Sequence, residues 1–244
     1  WGSEAARLIS AGGSGYCGDP AGNSLLSDAY SMALPDDVKP NRQHGKTSVS
    51  VAVLIVNFNS GPLLGECLRL VCAQTCRPKR VIVVDNASSD GSADGLEGDY
   101  PGVEIMRLAH NQGFAAANNL AARQAGEVDW LALLNPDAFP EPDWLERWLV
   151  VADAHPDCAS FGACLVDAGD PTRLDGTGDV YHVSGLAWRR DHGQQVVDGK
   201  TEGDEIFAPC AAAALYRRTA FWEAGGFDED YFCYFEDVDL GFRL

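Results

Sequence analysis

The chain of 244 residues is 46% hydrophobic and sets 18 Lys and Arg against 36 Asp and Glu, a formal net charge of −18. That length supports a sizeable core in one or two domains, and so acidic a chain repels nucleic-acid phosphates. No apolar run approaches the ~20 residues that span a bilayer, and the opening WGSEAARLIS lacks the basic and apolar regions of a signal peptide.

Residues 1–47 are rich in Gly, Ser, Asp and Pro without sustained periodicity, and read as a flexible leader. Two phosphate-loop resemblances within it fail on context. GSGYCG (13–18) has no strand before it and no helix after it, and HGKTS (44–48) has Pro40 where the first glycine belongs and a strand following. None of the eight cysteines forms a Cys-x-x-Cys pair, which removes zinc and thioredoxin-like readings and points to a reducing, cytoplasmic compartment.

Order begins at residue 49. VSVAVLIVN (49–57) is an unbroken, β-branched apolar run, as expected of a strand covered on both faces. Residues 61–75 place Leu63, Leu64, Cys67, Leu68, Val71 and Cys72 at helical spacing. RVIVVDN (80–86) reads as a second buried strand, Ser92 to Leu96 as a short helix, VEIMRL (103–108) as a third strand, GFAAANNLAARQA (113–125) as a helix of small residues, and DWLALLN (129–135) as a fourth strand. This alternation predicts a half-Rossmann, mostly parallel sheet flanked by helices. The fourth apolar run stops at Asn-Pro-Asp (135–137) and is read as not resuming.

Beyond 140 the texture changes. PDWLERWLVVADAH (142–155) is an amphipathic helix with Pro142 near its first turn. ASFGACLV (159–166) reads as one strand, and 167–204 as polar and irregular. The apolar IFAPCAAAALYRR (206–218) precedes a short helix ending at Gly225-Gly226, and EDVDLGFRL (236–244) begins a last helix with its acids at the positive end of the dipole. The chain stops inside that helix without a stop signal and reads as truncated at its C-terminus. The division expected is a leader at 1–47 and a domain at 48–244, with halves at about 48–140 and 141–244.

Ligands of open parallel sheets bind outside the carboxyl ends of the strands. The four predicted strands deliver Asn57, Phe58 and Asn59; then Asp85, Asn86, Ser88, Ser89 and Asp90; then His110, Asn111, Gln112 and Gly113; then Asn135 and Asp137. Helix capping accounts for Ser89 or Asp90, but not for Asp85 and Asp137 both directly following buried strands. Two such carboxylates can hold a divalent cation whose shell is completed by phosphate oxygens. A second cluster, FDEDYFCYFEDVDL (227–240), sets Glu236 and Asp237 among aromatic residues. A carboxylate partly buried beside another has a raised proton affinity, which suits a general base. In the same cluster, Glu229, Asp230 and Asp239 read as a solvated helix start.

The ordered set VLIVNFNS, VVDNASSDGS, NQGFAAANN, LLNPDA and GGFDEDYFCYFEDVDLGFRL, covering about residues 50–244, resembles the family 2 inverting glycosyltransferases, and within them the rhamnosyltransferase-like branch. The resemblance implies a GT-A fold with a nucleotide-binding half and a smaller acceptor-binding half. It implies a nucleoside diphosphate sugar donor, dTDP-rhamnose or a UDP-sugar, and a glycan or lipid-linked saccharide acceptor of the cell envelope. By motif match, Asp85 contacts base and ribose, and Asn57, Asn59, Asn86, Asp90, Asn111, Gly113 and Asn135 belong to the nucleotide edge. Asp137 matches the ligand of a divalent metal, Mg2+ or Mn2+, although Asn135 stands where the Asp-x-Asp motif has its first Asp. Asp237 matches the catalytic base, with Glu236 its partner, and APCAAAALYRR the acceptor side. The implied setting is cytoplasmic, with room for peripheral association at the inner face of the plasma membrane. Two other readings stay open: a nucleotidyltransferase or sugar-nucleotide pyrophosphorylase, disfavoured because NFNSGPLLGE carries no Lys or Arg for a triphosphate, and a non-catalytic nucleotide-sugar-binding fragment.

Overall fold

The computed structural model describes residues 6–9, 49–197 and 205–244. In chain order the elements are β1 (Ala6–Ile9), β2 (Val51–Asn57), α1 (Leu63–Cys72), β3 (Arg80–Asp85), α2 (Leu96–Asp99), β4 (Val103–Arg107), α3 (Phe114–Ala125), β5 (Trp130–Leu134) and β6 (Ala138–Pro140). There follow α4 (Trp144–Ala154), β7 (Ser160–Gly162), β8 (Cys164–Asp167), β9 (Leu174–Gly176), β10 (Asp179–Tyr181), β11 (Ala187–Arg189), β12 (Ala213–Arg217), α5 (Arg218–Glu223) and α6 (Glu236–Arg243).

The main sheet has six strands in the order β4-β3-β2-β5-β12-β7. β4, β3, β2 and β5 run parallel, and β12 and β7 continue the sheet antiparallel. The half-Rossmann expectation holds, and its cause is visible in β2, buried along its whole length. Val51, Val53 and Ile55 pack into one core with α1 and α4, while Ala52, Leu54 and Val56 pack into a second with α3, α5 and α6. Alternate residues of a strand face opposite ways, so an unbroken apolar run is what a doubly covered strand requires. Since β3 lies on one side of β2 and β5 on the other, the strand order reverses there, which opens a crevice at their carboxyl ends.

Several local expectations change. The Asn-Pro-Asp run resumes as β6, which pairs in parallel with β1 in a second sheet of order β6-β1-β8-β9. β1 itself lies in the stretch read as a leader; GSGYCG and HGKTS fall outside the described residues. The helix placed at 92–96 is a turn there, and the helix follows at Leu96–Asp99 behind Gly95, whose φ is +76°. Residues 159–166 form two strands, broken at Ala163, that enter different sheets. Within 167–204, read as irregular, stand β9 and the hairpin β10–β11, with Asp179 opposite Arg189.

The last segment is tied to α3. Asn119 is buried; its Nδ2 donates to the Phe227 carbonyl (2.8 Å) and to Glu229 Oε1 (3.0 Å), and its Oδ1 accepts from Phe227 N–H (3.0 Å). A Cβ on Gly226 would meet that Oδ1 at 2.8 Å. Asn119→Leu leaves both backbone groups of Phe227 buried and unpartnered, an expected loss of roughly 2–4 kcal/mol, measurable as a lowered denaturation midpoint. A loss under about 0.5 kcal/mol would refute the clamp.

Candidate active site

Two networks stand at the carboxyl edge of the sheet. In the first, Asn57 and Asp85 are register partners on β2 and β3. Asn57 is wholly buried; its Nδ2 lies 2.9 Å from Asp85 Oδ1, 3.1 Å from Ser88 Oγ and 2.8 Å from Ser92 Oγ, and its Oδ1 accepts from Ser60 Oγ. Asn59 Oδ1 accepts from Ser89 N–H (2.8 Å), and Asp90 accepts from Gly61 N–H (2.8 Å) and Ser92 N–H (2.9 Å). Asn86 donates to Asn111 Oδ1 (2.9 Å) and to the Gly113 carbonyl (3.1 Å), and accepts from Gln112 N–H (2.9 Å). Asn57, Asn59, Asp85, Asn86, Asp90, Asn111 and Gly113 are thus brought together, but much of their hydrogen-bonding capacity holds the three loops to one another. Among the other carboxylates of the 227–240 cluster, Glu229 meets Asn119 and Asp239 pairs with Arg243 at 2.6 Å.

The second network is a cleft of about 890 Å3 bordered by the β5–β6 turn, the β10–β11 hairpin and the start of α6. From the β5–β6 turn it receives Asn135 and Asp137, and from the start of α6 it receives Glu236 and Asp237. The turn closes by Ala138 N–H to the Asn135 carbonyl (3.0 Å) and is anchored by Asn135 N–H to the Ala212 carbonyl (2.8 Å). Asp237 is held from the APCAAA segment: Ala211 N–H donates to its Oδ2 (3.0 Å), while Val238 N–H donates to its Oδ1 (2.9 Å). The approach to α6 is strained. Tyr234 and Phe235 both line the cleft with left-handed φ, +72° and +68°, a conformation costing bulky residues on the order of 1–3 kcal/mol each. Gly113 makes room for this segment: a Cβ there would lie 2.4 Å from the Phe232 carbonyl oxygen, which accepts from Phe114 N–H at 2.6 Å.

Burial sets the proton affinities. It raises the pKa of Asp137 and of Asp237, the latter opposed by its backbone hydrogen bonds from Ala211 and Val238. Burial and then the Asp237 charge push Glu236 up to about 7; Glu236 is 4% exposed and its Oε2 has no hydrogen-bond partner. Asp179 of β10 also lines the cleft, raised to about 7 by burial and the Asp237 charge against the opposing pull of Arg189. The Cys210 thiol is pushed to about 12 by burial and so stays neutral. Asp175, Asp179 and Arg189 escape sequence reasoning; Gly185 with alternating residues on either side is the one hairpin signal their stretch carries.

No group of three or more His, Cys, Asp or Glu among the described residues forms a closed metal cage. The half-buried Asp137 at a turn in an open cleft fits the other kind of site, where one or two carboxylates share a hard cation with substrate phosphates.

A strand order reversing beside a carboxylate-lined cleft is where open α/β sheets bind their ligands, and similarity to known proteins decides the family. The family model for glycosyl transferase family 2 matches residues 52–225. The chain belongs to glycosyl transferase family 2. An N-acetylglucosaminyl-diphospho-decaprenol L-rhamnosyltransferase of Mycobacterium tuberculosis is 30% identical to this glycosyltransferase over 212 residues, 79% of this chain and 69% of that protein. A Pyrobaculum calidifontis mannosyltransferase in complex with GDP-Man and Mn2+ superposes with TM-score 0.53 at 21% identity, covering 74% of this chain and 48% of the other. Residues 1–349 of S. aureus TarS in complex with UDP give 0.56 at 18% identity, covering 79% and 54%. The chain therefore spans about half the length of these two structures. The fold is GT-A, as the motifs implied. Among the described residues no helix is long and apolar enough to cross a membrane.

The raised carboxylates have a pH consequence. A folded state that holds a proton on Glu236 up to about pH 7, where the unfolded chain releases it near 4.5, binds more protons across that window, so stability falls as pH rises through it. The melting temperature of the metal-free chain is expected to drop between pH 5 and pH 8, by several degrees, and Glu236→Gln to flatten the slope. An equal slope in the variant would contradict the buried protonated Glu236.

Proposed function

We propose that this glycosyltransferase moves a sugar from a nucleoside diphosphate sugar, dTDP-rhamnose or a UDP-sugar, to a hydroxyl of a glycan or lipid-linked saccharide, with inversion. One observation carries the reading: a single cleft presents Asp137 in the turn after β5 and Asp237 at the start of α6. A displacement needs something at each end, a group that manages the leaving diphosphate and a base that takes the proton of the attacking hydroxyl.

In this mechanism the loops after β2, β3 and β4 frame the nucleotide. Asp85 receives base and ribose, positioned by its bond from Asn57. Asp137 would hold a divalent cation, Mg2+ or Mn2+, whose chemistry there is neutralisation of the charge on the diphosphate. Asp237 accepts the acceptor hydroxyl's proton as the oxygen attacks the anomeric carbon from the face opposite the diphosphate; one displacement inverts the configuration. The N–H groups of Ala211 and Val238 hold its carboxylate in place, and burial makes it a better base than a free Asp. Glu236 keeps its own proton until near neutrality, so the charge beside Asp237 stays low. The half-exposed Trp188 on the cleft wall offers an apolar ring to a sugar. The acceptor class is supported by the Mycobacterium relative's name, which specifies a decaprenol-linked substrate; a working place at the inner face of the plasma membrane is part of the same proposal.

Asp237→Asn is expected to lower kcat on the order of 10²–10⁴-fold with little change in nucleotide affinity; a near-normal rate would sink the base assignment. A saturating nucleoside diphosphate with Mn2+ is expected to raise the melting temperature by several degrees, since ligand at ~100 times its Kd adds about 2.7 kcal/mol. Asp137→Ala should abolish the metal-dependent part of that shift. An unchanged shift in the variant would remove Asp137 from the metal site.

A further inference from the structure

Among the described residues, Arg189 is the only cationic side chain lining a cleft otherwise bordered by Asp137, Asp175, Asp179, Glu236 and Asp237. A diphosphate entering that field needs positive charge on the protein side as well as any cation at Asp137. We propose that Arg189 is a donor-binding residue that contacts the departing diphosphate, an inference that rests on the nucleoside diphosphate sugar reading given above.

Three observations place it for that role. First, Arg189 lines the same cleft as Asp137, Asp179 and Asp237, so a leaving group held between the Asp137 turn and α6 would lie in the space that the guanidinium borders. Second, the side chain is held but not consumed. Its Nη1 donates to Asp175 Oδ2 at 2.6 Å, while the side chain is 39% exposed. A guanidinium carries five N–H donors in a plane, enough to keep Asp175 and bind phosphate oxygens. Its stem runs so close to Gly176 that a Cβ there would meet Cδ at 2.7 Å and Cγ at 2.8 Å. Third, the carrier is fixed. Asp179 N–H donates to the Ala208 carbonyl (2.8 Å) and Arg190 N–H to the Gly178 carbonyl (2.8 Å), while a Cβ on Gly241 of α6 would meet Ala208 Cβ at 2.6 Å. The hairpin is thereby packed, through Ala208, onto the helix that carries Asp237.

The test is calorimetric titration of wild type, Arg189→Gln and Arg189→Lys with UDP, dTDP and GDP and with the matching monophosphates, all with Mn2+. For the base that wild type prefers, Arg189→Gln is expected to weaken the diphosphate about tenfold or more and to leave the monophosphate within about twofold; Arg189→Lys should fall between. In wild type, phenylglyoxal modification of Arg189, followed by peptide mass spectrometry, should be blocked by the diphosphate and not by the monophosphate, a readout independent of variant folding. Undiminished diphosphate binding in Arg189→Gln, equal losses for both nucleotides, or modification of Arg189 unaffected by the diphosphate would each overturn the assignment while leaving the donor reading standing. A wild-type chain that binds no nucleoside diphosphate would overturn both.

Discussion

The site depends on one close approach: the backbone of the segment before α6 against the first turn of α3. Phe114 N–H meets the Phe232 carbonyl at 2.6 Å over Gly113, and Asn119 clamps both backbone groups of Phe227. A side chain at 113 would occupy the space of that carbonyl. Once fixed there, the chain passes through the left-handed Tyr234 and Phe235 and enters α6 with Glu236 and Asp237 in the cleft. Strain at a bulky pair persists only where surrounding contacts over-determine it, and the α3 contacts do so. The energy of the clamp is thus converted into the position of two carboxylates.

The electrostatics follow from the same burial. A chain of net charge −18 places further carboxylates in its cleft rather than relieving them with lysines. Burial raises the proton affinity of Asp237, Glu236 and Asp179 alike, but at Asp237 backbone N–H groups from Ala211 and Val238, together with the charge of Arg189, oppose it, while the Asp237 charge adds to burial at Glu236 and Asp179. Neighbouring acids whose environments push them apart can divide the work of base and neutral neighbour.

The parallel sheet was legible because strands covered on both faces need apolar interiors, and β2, β3 and β5 have them; α1 and α4 followed from periodicity and α3 from its run of small residues. Most short strands were not legible. β6 and the hairpin strands are three residues each, too short to display alternation, and their pairing is set by distant partners; β7 and β8 were read as strand, but not the break at Ala163 that sends them to different sheets. Asp137, read from sequence at the end of a buried strand, and Glu236 and Asp237, read among aromatic residues, line one cleft in the structure. Arg189 and Asp179 could not be found from sequence, since only the folded hairpin carries them to α6. The polar residues after β2, β3 and β4 were found as a group, but Asn57 proved to be wholly buried, a loop clamp rather than an open contact. Sequence supplies residue type and local period, whereas the hydrogen-bond partner of a loop side chain depends on tertiary register.

The most direct test of the proposed reaction centre is a crystal structure with a nucleoside diphosphate and Mn2+, choosing the base that binds. The diphosphate is expected in the cleft between the β5–β6 turn and α6, with the cation on Asp137 and Asp237 free to face an acceptor. A nucleotide bound elsewhere, with Asp137 and Asp237 both away from the phosphates and the sugar position, would contradict it.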